Sequence, residues 1–142
     1  MPPKRVCIDC GSSSRPAPFA GPRCATDNRV RKKKVRDVAF ARRLLATYNL
    51  TVQQYEALYA AQGGKCAICQ RATGKVRRLA VDHDHACCPG PVSCGKCVRG
   101  LLCGTDNKTL GHLRDDPEAF LRAARYLTSP PARAVLGLDG ST

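Results

Sequence analysis

Tryptophan is absent from this chain, and three Phe, four Tyr and one Met are few for 142 residues. A large aromatic core is thereby excluded, and chains of this one-domain size commonly gain stability from metals or disulfides instead. Long hydrophobic runs are also missing, so no stretch reads as a membrane span. The opening Met1-Pro2-Pro3-Lys4-Arg5 leads into Cys7 rather than an apolar run, which argues against a signal peptide. Acidic residues are scarce: 11 Asp and Glu stand against 24 Lys and Arg, a net charge of +13. A surplus of that size suits a polyanion, and nucleic acid is the usual one. A membrane surface fits less well, because no Trp- or Phe-rich basic amphipathic helix is present.

Cysteine, by contrast, is abundant at ten residues. The Cys-x-x-Cys spacings point to zinc rather than disulfides, and so to a reduced, cytoplasmic setting. One unit runs Cys7-Ile8-Asp9-Cys10, a Ser-, Pro- and Gly-rich loop, then Cys24-Ala25-Thr26-Asp27-Asn28. A second runs Cys66-Ala67-Ile68-Cys69 and later Cys103-Gly104-Thr105-Asp106-Asn107. Both follow the order Cys-x-x-Cys then Cys-x-x-Asp, an internal echo. An Asp oxygen sits about 2.0–2.2 Å from zinc and completes a tetrahedron with three thiolates. Asp27 and Asp106 are therefore candidate ligands; the competing role for each is a helix cap. Four further thiols, Cys87, Cys88, Cys94 and Cys97, share one short loop and have the makings of a third zinc site. Rival assignments put His85 in place of one of the adjacent pair, send a loop Cys to the central zinc instead of Asp106, or leave the loop thiols free or oxidised. The expectation is at least two zinc ions.

Residues 29–43 hold eight Lys or Arg against one Asp, about half the net charge. Val35, Val38, Ala39 and Leu45 recur at helical spacing and predict a helix with one weak apolar face. Arg29, Arg31, Lys32, Lys33, Lys34 and Arg36 on it are candidate phosphate contacts, against the plainer possibility of a solvated face. Leu50-Thr51-Val52-Gln53-Gln54-Tyr55 carries a Thr-x-x-Gln capping box with a hydrophobic staple, and Gly63-Gly64 closes that helix. Strands are predicted over about residues 78–83 and 98–103, joined by the Cys-rich loop, with a helix after Asp106. Asp116-Pro117 opens a last helix, with Phe120, Leu121, Ala124 and Leu127 expected to face inwards.

The first strand delivers Asp82-His83-Asp84-His85. Asp82 offers a hard oxygen ligand for Mg²⁺ and Asn107 a neutral one, while histidine exchanges protons near neutral pH and suits a general base. On an extended chain Asp82 and Asp84 point one way, His83 and His85 the other, unless the strand ends or turns here.

Read together, Cys66-Ala67-Ile68-Cys69, Val81-Asp82-His83-Asp84-His85 and Val98-Arg99-Gly100-Leu101-Leu102-Cys103 with Asn107 resemble the recombination endonuclease VII group of His-Me finger (HNH-like) nucleases of phages, over about residues 48–127. Asp106 stands where the family has Cys, and the hairpin carries an extra Cys-rich loop. The resemblance implies a small zinc-stabilised α+β protein, a ββα-metal core with flanking helices, to which the Cys spacings add an N-terminal zinc knuckle. Its parts would be a knuckle at 1–28, a basic helix or linker at 29–47, a nuclease domain at 48–128 and a mobile tail at 129–142. It implies a metal-dependent DNA endonuclease in which Asp82 and Asn107 hold Mg²⁺, with Mn²⁺ as a substitute, and His83 deprotonates water. Cys66, Cys69, Cys103 and Asp106, with Cys7, Cys10, Cys24 and Asp27, would hold structural zinc. His85 touches substrate phosphate or makes a structural hydrogen bond, and Arg99 lies beside the site. The implied substrate is branched (Holliday-type) or nicked DNA, cut by a homodimer or by a monomeric nicking enzyme in the cytoplasm of a phage-infected or prophage-bearing host. The alternative is a non-catalytic zinc-stabilised DNA-binding or virion structural protein. Asp82, His83 and Asn107 together argue against it.

Overall fold

The computed structural model describes residues 6–13 and 21–137. The opening peptide, most of the Ser/Pro/Gly loop and the end of the tail lie outside these described residues. Helix α1 (Ala25–Tyr48) is followed by α2 (Val52–Ala61), strands β1 (Ala80–His83) and β2 (Val98–Leu102), then α3 (Gly104–His112), α4 (Pro117–Thr128) and the short α5 (Pro131–Val135). This is a small α+β arrangement around a two-stranded antiparallel sheet. The basic segment is helical as its spacing predicts, but the helix starts four residues earlier, directly after Cys24.

Local chemistry fixes the joints. The Thr51 side chain accepts from the Gln54 amide, and Gln54 returns the bond to the Thr51 backbone, so the capping box is complete. Its flanking staple residues, Leu50 and Tyr55, are both buried. Together with Leu44, Cys66, Leu79, Val81, Leu101 and Leu102 they form the core. The Tyr55 hydroxyl donates to the Leu79 carbonyl at 3.0 Å, so this tyrosine braces β1 from inside, as a core residue. Gln62 at the C-cap of α2 accepts from the Leu101 amide (2.8 Å) and donates to its carbonyl (2.9 Å). Its side-chain amide thus pairs with β2 as a neighbouring strand would.

The hairpin is irregular where it matters. Asp82 faces Gly100 while His83 faces Val98, which leaves Arg99 as the extra residue of a β-bulge. β1 then ends at His83, and the Cys87 and Cys88 amides donate to the Asp84 carbonyl in a turn. Strict alternation, which would hold Asp82 and His83 on opposite faces, is therefore broken between these two residues and ends at His83.

The last helix departs from expectation. Asp116 caps α4 and Pro117 takes its first position, as predicted. Its apolar face, however, is largely uncovered: Leu121 is 54% and Leu127 78% exposed. The core ends at the hairpin and α3, and α4 meets their edge at a cleft that it lines with Pro117, Phe120 and Leu121.

Candidate active site and metal centres

Asp82 and His83 are each 5% exposed, unusual for groups of this polarity, and each has partners. Arg99, pushed out by the bulge, donates to both oxygens of Asp82, from Nε at 2.7 Å and from a terminal nitrogen at 3.0 Å. The hydrogen bonds and charge of Asp82 hold the guanidinium above its ordinary pKa. Arg99 also pairs with Asp115 at 3.2 Å, and Asp115 takes a hydrogen bond from His85 Nδ1 at 3.0 Å. Burial pushes the Asp115 carboxyl up, but the His85 bond and the Arg99 charge outweigh it and leave its pKa lowered. The His85 ring in turn lies 4.7 Å from that of His83, centroid to centroid. One network thus joins Asp82, Arg99, Asp115, His85 and His83.

His83 has a chemically decided orientation. Its Nε2 sits 3.2 Å from two backbone carbonyls, those of Cys88 and Gly90. Carbonyl oxygens only accept, so Nε2 carries a proton, and in the neutral ring the lone pair is on Nδ1. Asp84 is turned to structure: its Oδ1 accepts from the Ala86 amide at 2.8 Å and anchors the loop turn. Asn107 occupies the first turn of α3, with its amide bonded to the Cys103 carbonyl. Among the described residues it makes no hydrogen bond to Asp82 or His83.

Asp115 is the site residue that sequence reasoning missed. It and Arg114 both have positive φ (54° and 56°), a costly conformation for non-glycine residues. The turn between α3 and α4 is thereby forced to present the carboxylate to Arg99 and His85. One of its oxygens, Oδ1, is buried without a hydrogen-bond partner. Nothing in the run Asp115-Asp116-Pro117 separates the site residue from the helix cap beside it.

Ten free thiols gather into three clusters, in each of which the donor atoms lie within 4.8 Å of one another. Two are the paired units, Cys7, Cys10, Cys24 with Asp27, and Cys66, Cys69, Cys103 with Asp106. Their helix caps are not the aspartates. Cys24 caps α1 and Cys103 caps α3, each Sγ accepting from the amide of the Asp three residues on. Asp27 and Asp106 sit at the third helical position with their carboxylates among the thiols, at 3.1 Å from Cys7 and Cys24 and 3.0 Å from Cys66. Hydrogen bonds from Cys66 and Cys69 draw Asp106 down to about 2, and the Asp27 carboxylate pushes the Cys10 thiol up to about 12. Such crowding of acidic groups is relieved when a cation replaces the shared protons. Three thiolates and one carboxylate are a donor set that zinc accepts.

The third cluster is Cys87, Cys88, Cys94 and Cys97, with all four loop thiols together. The fourth donor beside Cys66, Cys69 and Cys103 is Asp106, and His85 is turned to Asp115 instead of the loop thiols.

Positive charge is laid out on two surfaces. Arg29, Arg31, Lys32, Lys33, Lys34 and Arg36 are all exposed on α1. A cleft of about 470 Å³ is lined by Arg43, Arg71, Lys75, Arg77 and Arg78 and reaches Gly104 at the start of α3. Arg71, Lys75, Arg77 and Arg78 are neighbours in sequence, whereas Arg43 joins them only through the fold.

Fold and site together define a class: a small basic α+β protein whose thiol clusters, fit for zinc, brace a hairpin bearing an Asp–His pair. The model of the recombination endonuclease VII family matches residues 41–129, more than half the chain, and the chain belongs to that family. Membership of that family implies an endonuclease acting on DNA. Two proteins called Gene 59 protein, from Mycobacterium phages L5 and D29, are each 45% identical to it over 139 residues. Those matches span 94% of this chain and 80% and 79% of theirs. No solved structure matches. The family match begins inside α1 and leaves the N-terminal cluster outside it. Among the described residues no helix is long and apolar enough to cross a membrane.

Proposed function

We propose that this protein is a metal-dependent endonuclease of the ββα-metal (His-Me finger, HNH-like) type, with His83 as general base and β1, β2 and α3 as the ββα unit. The observation that carries the reading is the pair of carbonyls on His83 Nε2, which leaves Nδ1 free to accept a proton. Residues fit for a divalent cation are present: Asp82 is a buried carboxylate, and Asp115 Oδ1 is a buried oxygen with no partner nearby. Asp82 and Asn107 would hold Mg²⁺ or Mn²⁺, which when bound polarises a phosphate and stabilises the departing oxygen. His83 takes a proton from water through Nδ1, and burial of its ring against Tyr48 and His85 limits its motion. His85 holds Asp115, and through it Arg99. Zinc in the Cys₃Asp clusters is structural in this reading.

The exposed face of α1 and the basic cleft would carry duplex phosphates on either side of the cut. The parts proposed are an N-terminal knuckle at 1–28, the basic helix to 47, the nuclease domain at 48–128 and a tail from 129, working in the cytoplasm of a phage-bearing host. Branched or nicked DNA is the proposed substrate; two chains acting together would nick both strands of a junction. A second reading, a zinc-stabilised DNA-binding protein that no longer cuts, draws support from Arg99, which engages both oxygens of Asp82. Each of those oxygens keeps a lone pair for a cation, so the clamp does not close the site.

One assay separates the two: four-way, nicked and linear DNA incubated with Mg²⁺ or with chelator, using wild type and His83→Ala. Loss of a general base lowers the rate by about 10² to 10⁴, and binding should survive because the basic surfaces are untouched. Cleavage that persists unchanged in His83→Ala removes the base assignment; binding without any cleavage selects the second reading.

A further inference from the structure

The insert between β1 and β2 has a task beyond connection. Its four thiols stand at Sγ separations of 3.9 Å (Cys87 to Cys88), 3.9 Å (Cys87 to Cys94) and 3.8 Å (Cys94 to Cys97). A zinc tetrahedron with bonds of about 2.3 Å has edges of about 3.8 Å. Three of the six edges thus already match a four-thiolate site, with all four sulfurs within 4.8 Å of one another, and soft tetrahedral sulfur donors select zinc among the common divalent metals.

The same loop is tied down at both ends of a short path. On one side, the Ser93 amide donates to the Thr47 carbonyl at 2.7 Å, using an acceptor left open by the end of α1. Asn49 donates to the Cys94 carbonyl, and Gly95 (φ +85°) packs so closely that a Cβ would meet Asn49 and the Tyr48 carbonyl at 3.1–3.2 Å. On the other side, the carbonyls of Cys88 and Gly90 hold His83 Nε2. Little apolar burial supports this stretch: Cys87 and Cys94 are exposed, and so is Val92. A cross-link through the thiols is what such a loop needs to keep two carbonyls in place.

We propose that Cys87, Cys88, Cys94 and Cys97 bind one zinc ion, and that by closing the insert this ion keeps the Cys88 and Gly90 carbonyls on His83, fixing its tautomer and the aim of Nδ1. The loop cysteines are positioning residues; they act through His83. The second half of this inference rests on the proposed role of His83, whereas the metal site and the tautomer stand independently of it.

The test uses the full chain, reduced and loaded with zinc alone. Neither thiol of the variant Cys94→Ser/Cys97→Ser touches His83. Elemental analysis should show one zinc fewer per chain than wild type. Nitrogen-15 spectra of labelled histidine should show the Nε2–H form of His83 in wild type and a mixture of tautomers in the variant. On DNA, kcat should fall about tenfold or more, bounded by the loss in His83→Ala, with KM within about twofold of wild type. In a His83→Ala background the loop variant should cost nothing further, because the two act through one group. Cys97→Asp, which copies the chain's own Cys₃Asp clusters, should restore the zinc and the His83 signal.

An unchanged zinc count overturns the site, as does iron in place of zinc. One zinc lost with the His83 signal intact overturns the positioning role. Should the serine variant fail to fold, cadmium-113 titration of chelator-washed wild type reads the same link, since a four-thiolate site resonates apart from Cys₃Asp sites. A His83 signal complete before the loop site fills then sinks the proposal. A wild type that never cuts removes the base assignment, and the metal count and spectra still decide the loop.

Discussion

The two Cys₃Asp clusters are built alike and sit in unlike surroundings. In both, the first Cys accepts from the amide of the third (Cys24 to Cys7 at 3.2 Å, Cys103 to Cys66 at 3.3 Å). The third Cys caps a helix in both, and the Asp stands at its third position. Around the central cluster lies the core: Cys66 is fully buried beside Leu101, Leu102 and Tyr55. Among the described residues no buried apolar core surrounds the N-terminal cluster, and its neighbours Val6 and Ile8 are 56% and 61% exposed. The helices they cap differ in the same sense, since α3 runs on from the hairpin while the first half of α1 lies in solvent with its lysines and arginines outward. One local motif thus serves two ends: a keystone within a core, and a free-standing clip that starts a basic helix.

The largest expected effect breaks this comparison directly. Cys66→Ser should remove a zinc and unfold residues 48–128 together, because metal and core share that cysteine; apparent zinc contributions in small domains run to about 10–16 kcal/mol, more than typical domain stability. Cys7→Ser should also remove one zinc yet leave the thermal transition of the nuclease region in place. Calorimetry with zinc analysis reads both. Equal collapse in the two variants would show that the N-terminal clip is part of the core after all.

How far the sequence carried this picture follows from range. Features written in a few adjacent residues were legible: the Thr51 capping box, the Asp116-Pro117 start of α4, both strands to within two residues, and the thiol group of the insert. The two Cys₃Asp groups join distant segments and were legible only because the same Cys-x-x-Cys and Cys-x-x-Asp spacings recur. Other features that need two distant segments were not. The bulge at Arg99 depends on the register between strands, and the contact of the Cys88 and Gly90 carbonyls with His83 depends on how the insert folds back. Asp115 reaches the site only through two strained residues in a turn. The apolar spacing of α4 signalled burial, yet spacing cannot say whether a partner surface exists, and here most of that face stays open.

A middle-sized effect sharpens the division of labour. Neutralising Lys32, Lys33 and Lys34 to Gln should weaken DNA binding across sequences and flatten its salt dependence by about 0.9 slope units for each lost phosphate contact. Zinc content and the thermal transition should not move, because these side chains are exposed and sit on the clip's helix, away from the core. Binding titrations at several salt concentrations read the slope. If it stays constant, α1 is a solvated face and the N-terminal clip has no DNA-binding helix to serve.

The smallest effect asks whether α1 couples the two clusters or merely joins them. Midway along it, Arg78 from the approach to β1 pairs with Asp37 at 2.6 Å and lies 4.1 Å over the Phe40 ring. Phe40 in turn meets Tyr55 edge-on at 5.1 Å, so Arg78 fastens the helix to the core. The pair is about half exposed, which limits the ion pair to about 0–1 kcal/mol and the ring contact to about 0.5–1 kcal/mol. Arg78→Met keeps the apolar stem over Phe40 and removes the charge, so urea unfolding of the nuclease region should shift by about 1 kcal/mol. Zinc affinity at the N-terminal clip, measured by competition with a chelator, should be unchanged if the clip stands alone. A parallel loss of affinity there would mean that α1 transmits strain from the core to the clip, and the two clusters would then be one cooperative unit despite their different surroundings.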